Sequence, residues 1–493
     1  MPPFVAGVLV FVTSAAILVL EILAGRLLAP YVGDTLETYT AIIGTVLTGI
    51  AVGTWAGGRL ADRRDPRQLI GPLLVVGGLL AVSSVPIVRA VGNVGGSELE
   101  RSMLLCLLAF FPMAAVLSAV SPAVVKLQLD DLGRTGQIVG RYSALSTAGA
   151  VIGTFLAGFV LIEAARTSAL VIVTGALVVG LGVVMWLWLD RLRLRSGAIV
   201  AVLALGTLSL GATVGNGCEH ETTYHCARIE TDPANPSGRA LWLDTLRHSY
   251  VDLDDPTYLE FAYTKGLAAA IDGTQPEGEA LDSVHLGGAG YTMPRWLGAT
   301  RQGSTSVVLE IDQGLVDLVA DELDPPDGPG FEVRIGDARL LVADLPDGSA
   351  DVVVGDAFGG LAVPWHLTTE EFVTQVHRVL RPTGVYAANV IDGNDLRFLR
   401  AEVATLRSVF ADVAVVAPAA TFAGLQRSNL VVLASDLPIS LDRLDLAVGA
   451  AGLDHQVLTG AELDALVAGA PVLTDDFAPV DQYLLDASNR PRT

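Results

Sequence analysis

The sequence predicts two parts of different character, an all-α membrane bundle of about seven spans over residues 1–214 and a soluble α/β domain over residues 215–493. Three observations predict it. Mean hydropathy is +0.52 and 51% of the 493 residues are hydrophobic, more than an ordinary soluble enzyme carries. Charge is divided unevenly, with 14 Lys/Arg against 11 Asp/Glu in the first 214 residues and 17 against 42 in the rest. Beyond residue 280, short apolar runs alternate with helical patterns in the manner of a parallel sheet. The acidic second part repels nucleic acid and membrane phosphates and attracts polycations, although surplus acid is also a plain solubilising coat.

Seven stretches are apolar and long enough for a hydrocarbon core of about 30 Å. They are 4–25, 39–58, 69–88, 103–125, 143–162, 169–189 and 197–214. The first lacks a basic leader and runs into further spans, so it is not a cleavable signal. Arg59, Arg63, Arg64 and Arg67 follow span two, Lys126, Arg134 and Arg141 follow span four, and Arg191, Arg193 and Arg195 follow span six. The other loops hold only Arg26, Arg89, Arg101 and Arg166. Ten basic residues against four place the even-numbered exits and the N-terminus in the cytoplasm. With an odd number of spans, the soluble domain is then extracytoplasmic. Glu21, nearly the only ionisable residue deep in a span, reads equally as a functional acid or as a partner of Arg26.

Cys218 and Cys226 flank a short polar stretch after the last span, and a disulfide between them fits an oxidising compartment. Two unpaired thiols are the plain alternative. With His220 and His225 the pair matches no standard zinc spacing, so no metal is expected.

The soluble part opens on a small β-rich section, 215–280, with strand-like runs at 222–230 and 239–251, and continues as an α/β domain over 281–493. Strands are expected at 283–286, 306–311, 332–335, 351–354 and 384–390, with helices from 291–298, 314–323 and 369–380. This alternation implies a parallel, doubly wound sheet whose ligand sits at the C-terminal strand ends. Four features fall there. Gly287-Gly288-Ala289-Gly290 follows the first strand, where small residues let backbone approach a ligand or simply turn tightly. Glu310 closes the next strand 23 residues after Gly287, near the offset at which an acid accepts ribose hydroxyls. Asp337 can accept from an exocyclic amine or cap a turn. Asp356 ends an apolar strand, which aims its carboxylate at the site.

The segments His285-Leu286-Gly287-Gly288-Ala289-Gly290, Val308-Leu309-Glu310-Ile311-Asp312, Ile335-Gly336-Asp337-Ala338-Arg339 and Gly355-Asp356-Ala357-Phe358 resemble the spermidine synthase (polyamine aminopropyltransferase) family. Gly25-Arg26-Leu27-Leu28-Ala29-Pro30, Gly57-Gly58-Arg59-Leu60-Ala61-Asp62 and Leu473-Thr474-Asp475-Asp476-Phe477-Ala478-Pro479-Val480-Asp481 extend the resemblance to its bacterial membrane-fused branch. The resemblance implies a Rossmann-like, methyltransferase/spermidine-synthase-type domain. It also implies that an amine attacks decarboxylated S-adenosylmethionine, or another adenosyl compound, as cosubstrate rather than as a permanently bound cofactor. Asp356 matches the catalytic acid, and Tyr258 or Tyr263 the active-site tyrosine. Gly287, Gly288, Gly290, Glu310, Asp337 and Ala338 match the cosubstrate site, and His248 stands at a substrate-contacting position. The implied partners are a polyamine, an adenosyl ligand and the lipid bilayer, with room for a homo-oligomer.

Two positions depart from the family pattern: Gly290 and Gly359 stand where acids are usual. Their loss and the extracytoplasmic placement favour a second function, a non-catalytic binding or scaffold protein that retains the fold. A transporter is a third, because Gly57-Gly58-Arg59-Leu60-Ala61-Asp62-Arg63-Arg64 resembles the short basic loop of major-facilitator carriers, although seven spans fall short of that fold. Methyl transfer is a lesser alternative on the same fold.

Overall fold

The computed structural model of the protein describes residues 1–32, 36–92, 98–129, 132–162, 165–190, 218–393 and 395–488, so the seventh expected span, 197–214, lies outside the described residues. The chain divides into two compact units, Met1–Arg228 with Leu243–Thr245, and Ile229–Trp242 with Leu246–Thr493.

The first unit is helical: α1 (Pro3–Val32), α2 (Leu36–Arg63), α3 (Arg67–Val91), α4 (Glu98–Ala109), α5 (Phe111–Ser118), α6 (Val120–Gln128), α7 (Thr135–Leu156) and α8 (Thr167–Asp190). Together they provide six stretches long and apolar enough to cross a membrane, α4 to α6 forming one broken stretch. In such a bundle helices associate through close backbone approach more than through expulsion of water. Gly49, Gly53 and Gly57 make a small-residue stripe on α2 that meets α5 and α6, and a Cβ on Gly53 would lie 2.0 Å from the Ala115 carbonyl oxygen. Large apolar side chains point outward as well as inward. Phe159 and Leu177 are 70% and 69% exposed, as suits helices facing lipid. Glu21 is buried, and one of its carboxylate oxygens has no hydrogen-bond partner among the described residues, while Arg26 lies over the Tyr224 ring.

A four-stranded sheet follows, β1 (His220–Glu221), β2 (Cys226–Asp232), β3 (Asn235–Leu243) and β4 (Leu246–Asp252), in that order. The run expected as one strand over 239–251 is therefore split. Asp244 breaks it with a left-handed φ of 54°, a conformation that Asp tolerates better than most residues. Its carboxylate accepts from the Cys226 amide and meets His225, and Cys226 is disulfide-bonded to Cys218.

The core of the second unit is an eight-stranded sheet of β5 (Asp282–Leu286), β6 (Thr305–Glu310), β7 (Phe331–Ile335), β8 (Ala350–Gly355), β9 (Leu380–Asp392), β10 (Asp412–Ala417), β11 (Ser428–Ser435) and β12 (Gln456–Leu458). Its order is β12-β10-β11-β9-β8-β5-β6-β7. Strands β5 to β9 are parallel, whereas β11 pairs antiparallel with both β9 and β10, and β12 antiparallel with β10. The sheet is thus mixed, not wholly parallel as expected. The apolar runs of β10 and β11 are buried on both faces, and such runs carry no signal of strand direction.

Helices cover both faces: α9 (Ala262–Thr274), α10 (Thr292–Thr300), α11 (Gln313–Glu322), α12 (Ala338–Ala343), α13 (Glu370–Val379), α14 (Arg397–Val409), α15 (Leu441–Ala450), α16 (Gly460–Val467) and α17 (Val480–Ser488). Side chains alternate across the pleat. Val353 and Tyr386 join Phe372 of α13 and Phe398 of α14 in one core, while Val352, Val354 and Ala387 join Leu267 of α9, Trp296 of α10 and Leu444 of α15 in the other.

A carboxyl group is buried in the first of these cores. Glu402 of α14 is 3% exposed, one of its oxygens has no hydrogen-bond partner among the described residues, and burial pushes its carboxyl up to about 8. A carboxyl raised on folding holds its proton in the native state while the unfolded chain releases it, so stability falls as pH rises from the ordinary carboxylate range to about 8. Replacing Glu402 with Gln removes that dependence. The melting temperature of E402Q should gain on wild type progressively between about pH 5 and pH 8, and a gain independent of pH would show that the buried charge is not its cause.

Candidate functional site

Chain order reverses between neighbouring strands β5 and β8, since β6 and β7 extend the sheet one way and β9 the other. In open α/β sheets that crevice is the ligand site. Leu286 pairs with Gly355, so the next residues, Gly287 and Asp356, emerge side by side. Gly287 has φ 88°, and a Cβ there would lie 2.6 Å from the Asp356 carbonyl oxygen, so no other residue fits without moving a strand end. Gly288 is closed in from beneath, because a Cβ would meet the Tyr291 ring at 2.8 Å and Val308 at 2.9 Å.

Glu310 ends β6 beside this loop and is 8% exposed. Its Oε2 accepts from the Gly288 amide at 2.8 Å and its Oε1 from the Asp312 amide at 3.0 Å. Backbone donors thus fix the carboxylate, and each oxygen keeps a lone pair for a further donor, the pairing that two adjacent hydroxyls can use. Asp337 follows β7 and caps α12, its Oδ1 accepting from the Arg339 amide at 2.8 Å. Its Oδ2 lies 3.3 Å from His366 Nε2. Capping and ligand contact, posed as alternatives by the sequence, are therefore compatible, since they use different oxygens. Ala338 is buried in the first turn of α12.

Asp356 is partly buried, and Asn389 Nδ2 donates to its Oδ1 at 2.9 Å while Tyr263 also hydrogen-bonds to it. Burial raises its carboxyl to about 6, against the lowering effect of those two donors. Tyr263 is held well above the ordinary phenol range, first by burial and then by the Asp356 charge, so it is a neutral donor. Its hydroxyl also reaches the His248 carbonyl oxygen at 3.4 Å, which brings β4 to the same spot. The structure separates the two candidate tyrosines. Tyr258 is 41% exposed, donates to Glu260 at 2.6 Å, and lines a groove of about 970 Å³ along α9, α10 and α15 that has none of Asp356, Glu310 or Asp337 in its lining.

The two glycine departures differ physically. A Cβ on Gly290 would lie 2.8 Å from Ser249 Oγ, which is itself hydrogen-bonded to Thr292 Oγ1 at 2.8 Å, so hydroxyls occupy the space an acid would need. A Cβ on Gly359 would meet nothing within 4 Å among the described residues, so there is room for an acid there. Sequence reading passed over Ser249, Thr292, His366 and Asn389. Of these only Asn389 left a trace, as the one polar residue in the apolar run 385–391.

A polyamine aminopropyltransferase from Chromobacterium violaceum is 29% identical to the chain over 174 residues, which cover 35% of this chain and 64% of that protein. Another from Vibrio vulnificus is 30% identical over 139 residues, 28% of this chain and 45% of that one. The chain thus spans less than two thirds of the length of these curated relatives. The crystal structure of a probable spermidine synthase from Corynebacterium glutamicum shares 28% identity with a TM-score of 0.49 over 53% of this chain and 97% of that one. No family model matches the chain.

The geometry of Glu310 leads to a binding prediction. With 5′-methylthioadenosine as probe, titration calorimetry on the full chain should show binding that Glu310→Ala weakens by about 1–3 kcal/mol, the scale of polar partners left unpaired. Equal affinity in both proteins would remove Glu310 from the site.

Proposed function

Taking the α/β domain as a member of the spermidine synthase family, we propose that the protein is a membrane-bound transferase that moves an aminopropyl group from decarboxylated S-adenosylmethionine to a polyamine. The observation that carries this reading is Asp356 at the β5/β8 junction, hydrogen-bonded to Tyr263 and Asn389 and raised to about 6. An amine is a nucleophile only when neutral, and a carboxylate with that affinity for protons takes one from a bound ammonium near neutral pH. The freed nitrogen lone pair attacks the methylene beside the sulfonium. As the new carbon–nitrogen bond forms, the carbon–sulfur bond breaks, its electron pair stays on sulfur, and 5′-methylthioadenosine leaves as a neutral thioether. Glu310 and Asp337 hold the ribose and the base, which fixes the methylene in line with the nitrogen.

Asp356→Asn keeps the shape but cannot take a proton, so turnover should fall by about 10²–10⁴-fold. In the wild type, kcat/KM should rise with pH through about 6, because the base works as the carboxylate. A second reading draws on Gly290 and Gly359: without acids there, the domain is a non-catalytic binder of adenosyl compounds. Wild-type protein that binds 5′-methylthioadenosine yet forms no product with putrescine, cadaverine or spermidine would favour the binder.

The location proposed for the chain is multi-pass, with the N-terminus in the cytoplasm and the α/β domain outside; it is supported by the loop charges and by the Cys218–Cys226 disulfide, and it favours the binder over aminopropyl transfer. A reporter active only outside the cytoplasm should work when fused after Thr493 and fail after Arg64, and non-reducing mass spectrometry should find the two cysteines joined. The opposite reporter pattern with free thiols would move the domain to the cytoplasm, where decarboxylated S-adenosylmethionine is made.

A further inference from the structure

The hydrogen-bond chain behind Asp356 continues beyond its first partner. Gly355 of β8 pairs with Ala388 of β9, which sets Asp356 beside Asn389. Val431 of β11 pairs with Asn389 across the antiparallel ladder, and Asn429, two residues earlier and on the same face, donates from Nδ2 to Asn389 Oδ1 at 2.9 Å. Asn389 in turn donates from Nδ2 to Asp356 Oδ1 at 2.9 Å and is 3% exposed. Three polar side chains from three neighbouring strands are thus joined in one line at the C-terminal end of the parallel sheet.

We propose that Asn389 and Asn429 are positioning residues that orient the Asp356 carboxylate, reserving Oδ1 as a hydrogen-bond acceptor and leaving Oδ2 as the oxygen that takes the proton of the incoming amine. A side-chain amide has two faces of similar shape, one donating and one accepting. A donor at Asn389 Oδ1 determines which face is which. Because Asn429 presents an N–H there, the Asn389 amide turns its own N–H toward Asp356, and a proton on Asp356 Oδ1 would then face another hydrogen. Proton uptake is directed to Oδ2, and the carboxyl plane is held against rotation. The other hydrogen-bonded neighbour of Asp356, Tyr263 of α9, is an uncharged donor, as is Asn389 of β9. Tyr263 therefore adds no charge that could do the orienting instead.

The inference rests on Asp356 as the proton acceptor, and the test separates the two. Infrared titration of the full chain follows the carboxylic C=O band of Asp356, identified as the band missing from Asp356→Asn, and needs no turnover. Asn389→Leu removes the donor that favours the carboxylate, so the band's midpoint should move to higher pH. Asn429→Leu leaves the donor present but unoriented and should move it in the same direction, by less. In the turnover assay, both variants should lower kcat, Asn389→Leu by about 10–100-fold, the scale of a misaligned reacting group, and the acid limb of the pH profile should shift with the infrared midpoint. Affinity for 5′-methylthioadenosine should stay that of wild type, which separates this role from general damage to the site. An unmoved midpoint in folded Asn389→Leu would overturn the proposal, as would a midpoint that moves in Asn389→Leu and stays fixed in Asn429→Leu. Should Asn389→Leu fail to fold, Asn429→Leu, at a partly buried position, decides by its midpoint alone. Wild type without turnover but with these infrared shifts would defeat the aminopropyl transfer and leave the orienting role intact.

Discussion

The close approach of β5 and β8 at their C-terminal ends is the constraint from which the site follows. The register that pairs Leu286 with Gly355 brings Gly287 against the Asp356 backbone, a contact only glycine permits at that φ. The glycine loop then turns its Gly288 amide onto Glu310, whose other oxygen accepts from the Asp312 amide. A side chain at Gly287 would push β8 outward and displace Asp356 from Asn389. One backbone contact therefore sets both carboxylates, Glu310 and Asp356.

Backbone donors and side-chain donors then give the carboxylates different characters. Glu310 is held by two amides that belong to the fold itself. Asp356 depends on Tyr263 and Asn389, both neutral, and burial still wins, raising it to about 6. Glu402, with an unpartnered oxygen, is raised further, to about 8. The order of the two raised acids follows the number of donors each one finds, as the competition between desolvation and hydrogen bonding requires. Asp356 falls in the range where a group can both take and return a proton near neutral pH.

Much of this was legible in the sequence because it depends on local patterns. Apolar runs marked β5, β6, β7, β8 and β9, and the residues at or just beyond the ends of four of them are Gly287, Glu310, Asp337 and Asp356. Direction and pairing were not legible, since β10 and β11 are buried on both faces and their composition reads alike in either sense. The split of 239–251 into β3 and β4 was hidden because nothing in the sequence marks Asp244 as the residue whose φ turns positive. The different surroundings of Tyr258 and Tyr263 also lay beyond sequence, five residues apart on the same short stretch. The start of α9 turns Tyr263 toward Asp356 while Tyr258 remains with Glu260. Asn429 gave no sign at all, because its role depends on the register of β11 against β9.

The two glycines that replace acids are best understood by what surrounds them. At Gly290 the Ser249 and Thr292 hydroxyls fill the space and satisfy each other, so the local packing is built around the missing side chain. Restoring an acid there would require Ser249 to shift and would place a charge against a paired hydroxyl, a loss that packing alone imposes. At Gly359 the loop is open and no neighbour has closed in, so nothing in the fold opposes an acid. The first departure is packed in place by hydroxyls, whereas the second lies open on the loop that follows Asp356.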